Sequence, residues 1–248
     1  YMDVSPDDKC ENVRREICLT LERMGIRPES SHHEQGPGQN EIDFRYSDAL
    51  TAADNAVTFR TVVKTIAAGN GLCADFSPKP LPDQPGSGFH INMSVKGSGE
   101  NRMHHMMGGI LRHVSDMTRF LNPSPQSYSR LGVCKAPKYI SWSNNNRSML
   151  IRIPAAAGEY RRVELRSPDC TANPYLAFAL LIWAGLDGIQ NEIDLPEKAN
   201  VNLYTAEPRD IGDMETLPLS LGAAIKRAEE SEFIRAHLPQ SLIACYKN

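Results

Sequence analysis

The chain has 248 residues, 41% of them hydrophobic and 23% charged, proportions typical of a soluble globular protein with a core of ordinary size. A net charge of −3 without a Lys/Arg run argues against nucleic-acid binding, and no apolar run is long enough to cross a membrane. The six cysteines form no CxxC pair, so we expect free thiols in a cytoplasmic protein.

The first part of the chain predicts two helices and, between them, a turn that brings two carboxylates together. One amphipathic helix ends near Met24, and another is expected at 47–68. Between them, the sequence at 36–38, Gly-Pro-Gly, forces a turn that separates Glu34 from Glu41 at the ends of neighbouring strands. Two close carboxylates repel each other and stay ionised only when hydrogen bonds or cations offset the repulsion, so a metal ion is the expected partner. A solvated hairpin is the alternative.

Three segments alternate apolar and polar side chains with the two-residue period of a β-strand. They lie at 39–44, 88–95 and 161–166. Their polar positions carry side chains that bind metals, phosphates or carboxylates. These positions include Glu41, His90, Asn92, Ser94, Arg162, Glu164 and Arg166. We therefore predict one sheet whose polar face lines a site, against the alternative that the polar faces simply meet water.

The remaining segments add further positive groups and the rest of the scaffold. Arg147 follows an Asn-rich turn at a strand mouth, and Arg152, between two isoleucines, should face the polar side. His104, His105 and His113 lack acidic neighbours in sequence and are interpreted as surface or packing residues. The other predicted elements are a strand at 73–76, a Pro/Gly-rich loop at 77–88, a helix at 103–120, strands at 138–142 and 149–153, a buried helix capped by Asn173, and a last helix at 219–236.

The candidate ligands for cations and anions, taken together, indicate phosphoryl transfer from a nucleotide. The candidate cation ligands are Glu34, Glu41, His90 and Glu164, and the candidate anion-binding residues are Arg130, Arg147, Arg152, Arg162 and Arg166. Oxygen-rich sites with one imidazole suit Mg²⁺ or Mn²⁺ better than Zn²⁺. A metal beside several arginines is typical of phosphoryl transfer, yet the P-loop and kinase motifs are absent. The nucleotide is therefore expected to lie on the sheet.

Six segments in series resemble the catalytic domain of glutamine synthetase, in the same order and with similar spacing. They are HHEQGPGQNEIDF, GSGFHINMS, NPSPQSYSRL, APKYISWSNNNRSMLIRIP, RRVELRSPD and NPYLAFALLIWAGLDGI. The resemblance implies an α+β fold, with a curved, mainly antiparallel sheet flanked by helices, and a single partial catalytic domain over 1–248. It also implies an ATP-dependent ligase that phosphorylates glutamate and joins it to ammonia, in ring-shaped homo-oligomers without nucleic-acid or membrane partners.

The resemblance also implies a role for each matching residue. Glu34 and Glu41 would hold one divalent cation, Mg²⁺ or Mn²⁺, and His90 and Glu164 another that bridges the ATP phosphates. The glutamate substrate would be bound by Gly86, His90, Arg130 and Arg166. The nucleotide and its phosphates would be bound by Asn92, Ser94, Arg147, Arg152 and Arg162, with Arg147 and Arg130 as the catalytic residues.

The sequence departs from the family pattern in three places. In the family, a β-grasp domain and a Glu-x-Glu strand come ahead of the point that matches Tyr1, so we expect the isolated chain to bind metal weakly and to lack turnover. Lys135 stands where a flap glutamate assists ammonium capture, and Pro85 where an asparagine contacts the amino acid. These changes leave open another amine acceptor, or a non-catalytic nucleotide-binding or assembly protein. Tyr204 matches a tyrosine that some bacterial relatives modify, and is otherwise an exposed loop residue.

Overall fold

The computed structural model describes residues 1–96, 100–156 and 158–246, and it divides into two compact units. The smaller unit comprises Tyr1–Phe76 and Pro80–Pro85, and the larger unit Ser77–Lys79 and Gly86–Asn248. Both combine helices with short strands, so the expected α+β class is confirmed. The expectation of a single catalytic domain over 1–248 stays a prediction. Among the described residues, no helix is both long and apolar enough to cross a membrane.

The smaller unit packs two helices against a two-stranded hairpin. Its elements are α1 (Glu11–Arg23), β1 (Pro28–His33), β2 (Asn40–Phe44) and α2 (Ala49–Gly69). The predicted apolar stripe of α1 is buried, with Ile17 and Leu21 packed against Val62 of α2. Asp48 caps α2, because its carboxylate accepts a hydrogen bond from the backbone N–H of Thr51.

A buried ion pair fixes α1 to the hairpin. Arg14 and Asp8 are 6% and 4% exposed, and Arg14 Nη2 lies 2.5 Å from Asp8 Oδ2. The same guanidinium donates to Ser31 Oγ of β1 at 3.1 Å and to Asn40 Oδ1 of β2 at 2.6 Å. One cation therefore holds the helix, both strands and the preceding loop in register.

The larger unit contains a four-stranded sheet in the order β3-β6-β5-β4. Its strands are β3 (Ile91–Met93), β4 (Trp142–Asn144), β5 (Ile151–Ile153) and β6 (Val163–Leu165). The pairs β3–β6 and β5–β6 are antiparallel, whereas β4–β5 is parallel. The sheet is therefore mainly antiparallel, as expected.

Helices accompany this sheet, and most of them contribute residues to the main core. They are α3 (Glu100–Leu121), α4 (Pro125–Arg130), α5 (Pro174–Gln190), α6 (Pro208–Ile211), α7 (Leu221–Glu230), α8 (Glu232–His237) and α9 (Gln240–Cys245). Two glycines let α3 and α5 touch backbone to backbone, because a Cβ on Gly109 would overlap the Ala184 carbonyl and one on Gly188 the His105 carbonyl. As predicted, Asn173 caps the buried helix, α5.

Four expectations about the elements are wrong. Segment 39–44 does not join the sheet of 88–95 and 161–166, because β2 pairs with β1 in a separate hairpin. Residues 73–76 form no strand, and Phe76 is held by ring contact with Phe59 instead. The strand expected at 138–142 begins at Trp142, since Tyr139 bridges to Thr216. The predicted last helix is divided at Ser231, whose extended backbone separates α7 from α8.

Candidate functional site

The strand register aligns one row of polar residues across the four-stranded sheet. Glu164 of β6 lies directly opposite Asn92 of β3 on one side and Arg152 of β5 on the other. Ser143 of β4 extends the row beyond Arg152. Because directly paired residues project to the same face, this row is the polar face that alternation predicted.

Glu164 is the central charged group of this face. Its side chain is 8% exposed, and Oε2 accepts from Arg152 Nε at 2.6 Å and from Arg166 Nη1 at 2.8 Å. The other oxygen, Oε1, lies 3.5 Å from His90 Nδ1. The carboxylate thus joins strand β5, its own strand and the segment before β3.

These contacts set the ionisation of both Glu164 and His90. Burial alone would raise the pKa of Glu164, but the hydrogen bonds from His90 and Arg152, with the charge of Arg166, hold it far below its usual range. Desolvation lowers the pKa of His90, against the opposing effect of Glu164. Glu164 is therefore a carboxylate and His90 a neutral imidazole at neutral pH, which are the forms that bind metals.

Arg166 ties the central carboxylate to two loops that border the face. It is 3% exposed, and besides Glu164 it donates to the carbonyl of Arg147 at 3.2 Å and to the carbonyl of Lys135 at 3.4 Å. The flap loop, residues 131–137, carries Lys135 in place of the family's glutamate. It is therefore hydrogen-bonded to Arg166, a residue expected to bind glutamate. Lys135 itself has a left-handed backbone with φ of 67°.

Arg130, at the end of α4, forms a second buried positive group next to His90. It is 2% exposed and donates to the carbonyls of Ser167 at 2.7 Å and Arg166 at 3.3 Å. A Cβ on Gly86 would lie 2.9 Å from Arg130 Cγ, and one on Gly88 would lie 3.0 Å from His90 Nε2. The absence of side chains at these glycines is thus what lets the loop approach the arginine and the histidine.

The other predicted nucleotide contacts lie at the edge of this face. Arg162 is exposed and donates from Nε to Asn92 Oδ1 at 3.2 Å. Ser94 and Arg147 are exposed on the segments after β3 and before β5. Tyr204 is half-buried rather than exposed, its hydroxyl donates to the Arg147 carbonyl at 3.4 Å, and burial raises its pKa to about 12.

The hairpin of the smaller unit carries a second group of candidate cation ligands. Glu34 and Glu41 lie together, as predicted, with the turn closed by a 2.8 Å bond from the Glu34 N–H to the Gln39 carbonyl. His32 joins them, and one ligand atom from each side chain lies within 4.8 Å of the others. The sequence interpretation missed His32, although it lies two residues before Glu34, which directly follows β1, so that both project to one face.

Both groups suit a divalent cation by their donor chemistry. The larger unit offers Glu164 with His90, and the smaller unit offers two carboxylates with an imidazole. The hairpin set of two carboxylates and one imidazole suits Mg²⁺ or Mn²⁺, and the pair in the larger unit offers one ligand of each kind, whereas structural zinc sites draw on Cys or several His. The assignment of these residues as metal ligands stays a prediction.

Comparison with known proteins identifies the family. The family profile described as glutamine synthetase, catalytic domain, matches residues 1–248. Proteins named glutamine synthetase from Methanosarcina mazei and Clostridium saccharobutylicum are 44% and 42% identical over 262 residues, 99% of this chain. The chain spans 59% of the length of either relative.

Solved structures agree with this match. A structure described as apo GmaS without ligand superposes with a TM-score of 0.88 at 32% identity, covering 99% of this chain and 59% of that one. A GmaS/ADP complex superposes with a TM-score of 0.86 at 33% identity, covering 95% and 58%. The chain therefore belongs to the glutamine synthetase family and corresponds to its catalytic domain.

Proposed function

We propose that the whole protein is an ATP-dependent ligase that forms glutamine from glutamate and ammonia through γ-glutamyl phosphate. The observation that carries this proposal is the contact of Glu164 with His90, Arg152 and Arg166 on one sheet face. A carboxylate and an imidazole among guanidinium groups suit a cation and a phosphate chain together. The relatives named glutamine synthetase support the reaction, and the ADP complex of GmaS supports the nucleotide.

The phosphate chain of ATP would be bound by the arginines along the polar face. Arg152 beside Glu164 and Arg162 beside Asn92 present guanidinium groups along one row of the sheet. Exposed Arg147, at the adjoining loop, is the group we assign to the transferring phosphoryl. Positioning and charge stabilisation supply most of the catalysis in such transfers. A divalent cation at the carboxylates would add further neutralisation of the phosphate charge.

Glutamate would be bound at the other end of this face. Arg130 and Arg166 are both nearly inaccessible, so their charges act through a medium of low dielectric. The fully buried carboxylate of Asp169 offsets the desolvation that lowers the pKa of Arg130. Gly86 packs against the side-chain stem of Arg130, and Gly88 lies beside its guanidinium, where an added Cβ would be 2.9 Å from Nη2. Ring assembly and a cytoplasmic location remain predictions from the resemblance.

A second candidate is a ligase that joins glutamate to another amine. The observation that favours it is Lys135, a cation in the flap loop whose carbonyl binds Arg166. A positive charge at this place repels ammonium and would favour an acceptor that arrives as a neutral or carboxylate-bearing amine. At a separation of 4 Å the repulsion is about 1 kcal/mol in water and about 4 kcal/mol at an effective dielectric of 20.

The test is ADP release by the full-length protein with glutamate and a panel of amines. Hydroxylamine should trap the acyl phosphate as a hydroxamate, and ammonium should give the highest kcat/KM. Arg147→Gln should lower kcat roughly a hundredfold or more. Arg112→Gln, an exposed arginine on α3, is the matched control and should leave kcat unchanged.

The possible outcomes separate the candidates. Turnover with larger amines but not with ammonium would replace the glutamine assignment by the second candidate. ADP binding without glutamate-dependent ADP release would overturn both and indicate a non-catalytic relative. A normal kcat in Arg147→Gln would remove that residue from the phosphoryl-transfer step.

A further inference from the structure

The backbone of the β1–β2 hairpin places three ligand side chains on one face. His32 and Glu34 are two residues apart on and just after β1, so they project to the same side. His32 is also the direct register partner of Glu41 on β2. Directly opposed residues of an antiparallel pair hold their Cβ atoms about 5 Å apart. The grouping is thus a consequence of strand pairing rather than of one chosen side-chain rotamer.

The ligand atoms are close to the arrangement that a metal requires. The imidazole and the two carboxylates each contribute an atom, and all three lie within 4.8 Å of one another. Ligands at about 2.1 Å from an octahedral ion lie about 3 Å apart when adjacent and about 4.2 Å when opposite. Small rotations about the side-chain torsions therefore suffice to close the group around one ion. All three residues are half-buried, so they are accessible while partly removed from water.

The charge of the group also matches a divalent cation. Glu34 and Glu41 contribute two negative charges when ionised, and a neutral imidazole adds a donor nitrogen without changing that total. Imidazole nitrogen suits first-row transition metals, whereas Mg²⁺ prefers oxygen ligands and retains much of its water. The nitrogen should therefore favour Mn²⁺ over Mg²⁺ more than two carboxylates alone would.

We propose that His32 is a nitrogen ligand of the hairpin cation site, beside Glu34 and Glu41, and that it gives this site a preference for Mn²⁺ over Mg²⁺. The proposal deepens the proposed function and rests on Glu34 and Glu41 holding a cation. It adds a nitrogen ligand from the hairpin itself. The neighbouring His33 projects to the opposite face of β1 by alternation and has a buried Nδ1, so it takes no part in the site.

The test is Mn²⁺ binding to the chain, measured by electron paramagnetic resonance with Mg²⁺ as competitor. All variants are made in a His90→Ala background, so that imidazole nitrogen coupling reports the hairpin. His32→Ala should weaken Mn²⁺ binding about tenfold or more and abolish the nitrogen coupling, with little change for Mg²⁺. His32→Glu, which replaces nitrogen by oxygen, should restore cation binding with a preference shifted towards Mg²⁺. His33→Gln is the same-strand control, and circular dichroism checks that each variant is folded.

The binding results of the variants distinguish an error in the role of His32 from an error in the proposed cation site. If Glu34→Gln and Glu41→Gln lose Mn²⁺ while His32→Ala keeps it with its nitrogen coupling, His32 is not a ligand, and the cation role in the proposed function stands. If His32→Ala weakens Mn²⁺ and Mg²⁺ equally, the imidazole shapes the hairpin without selecting the metal, and the proposal is wrong. If none of the three changes affects Mn²⁺ binding, the hairpin is not a cation site, and that part of the proposed function falls as well.

Discussion

Replacing Glu164 by glutamine would leave two arginines facing a neutral amide on the polar sheet face. The carboxylate accepts bonds of 2.6 Å from Arg152 and 2.8 Å from Arg166. Arg152 has a side chain that is 21% exposed, and it can turn towards water. Arg166 is 4% exposed at its side chain and cannot do so without moving the strand. The substitution therefore destabilises the fold mainly through Arg166, whose charge stays buried without the carboxylate.

The expected cost is about 3 kcal/mol of unfolding free energy. Removing one partner of a buried ion pair costs about 3–5 kcal/mol, since the remaining charge stays desolvated. The lower end applies because the glutamine oxygen still accepts one hydrogen bond and the carbonyls of Arg147 and Lys135 still bind Arg166. For a chain of this size, 3 kcal/mol corresponds to a fall in Tm of about 6–12 °C.

Thermal and urea unfolding of Glu164→Gln, compared across pH, would measure this contribution. Because the pKa of Glu164 in the folded chain lies below its ordinary value of 4.5, the carboxylate stabilises the fold above that pH, and the stabilisation is lost as pH falls further. The difference between wild type and variant should accordingly be constant near neutral pH and shrink below about pH 4.5. Glu215→Gln, an exposed glutamate of the same unit, is the matched control.

A decrease in the unfolding free energy of Glu164→Gln that is no larger than in the Glu215→Gln control would refute the reasoning. It would mean that backbone carbonyls alone satisfy Arg166, so the guanidinium would not depend on the carboxylate. A loss of the expected size that persists undiminished to low pH would instead attribute the effect to packing rather than to charge.

Three further substitutions test the stability of the fold away from this carboxylate. Gly109→Ala should cost about 3 kcal/mol, because the added methyl overlaps backbone at the α3–α5 crossing. Gly222→Ala in α7, where the methyl meets nothing within 4 Å, should instead stabilise the fold by about 0.5–1 kcal/mol. If urea unfolding shows that both glycine variants lose the same unfolding free energy, the packing argument is contradicted. Asp8→Asn should cost about 3 kcal/mol at neutral pH by stranding buried Arg14. Since the hydrogen bond from Arg14 lowers the pKa of Asp8 below 3.8, that difference should shrink in acid unfolding below this pH, and a constant difference would argue against it.

The sequence predicted the polar face because side-chain alternation is a local property. The two-residue period alone groups Arg162, Glu164 and Arg166 on one face, and the structure places Arg152, also predicted on the polar side, directly opposite Glu164. Alternation says which face a residue occupies but not which strand pairs with it. This is why alternation predicts the wrong sheet for β2, whereas the apolar positions that it predicts, Ile42 and Phe44, do pack against the core of the smaller unit.

Contacts between segments far apart in the sequence could not be predicted from local sequence patterns. His113 was expected to lack an acidic partner, yet its Nε2 lies 2.8 Å from Asp187 Oδ2, 74 residues away. The ion pair of Arg14 with Asp8 was missed because nothing in the local pattern marks either residue as buried. The break at Ser231 was detectable in principle, since its hydroxyl caps α8 by accepting from the Ile234 N–H, which is a recognised start signal.

The charge balance of the polar face supports the proposed binding of a phosphate chain. The guanidinium groups of Arg130, Arg152 and Arg166 face the carboxylates of Glu164 and Asp169, so three positive charges meet two negative ones. The lowered pKa of His90 keeps its imidazole neutral and adds no charge. These five groups together are thus positive by one unit, the excess coming from the half-buried Arg152, before the exposed arginines at the edge of the face are included. In the proposed function, a phosphate chain would compensate that excess, and its oxygens would also offer ligands to a cation held by His90 and Glu164.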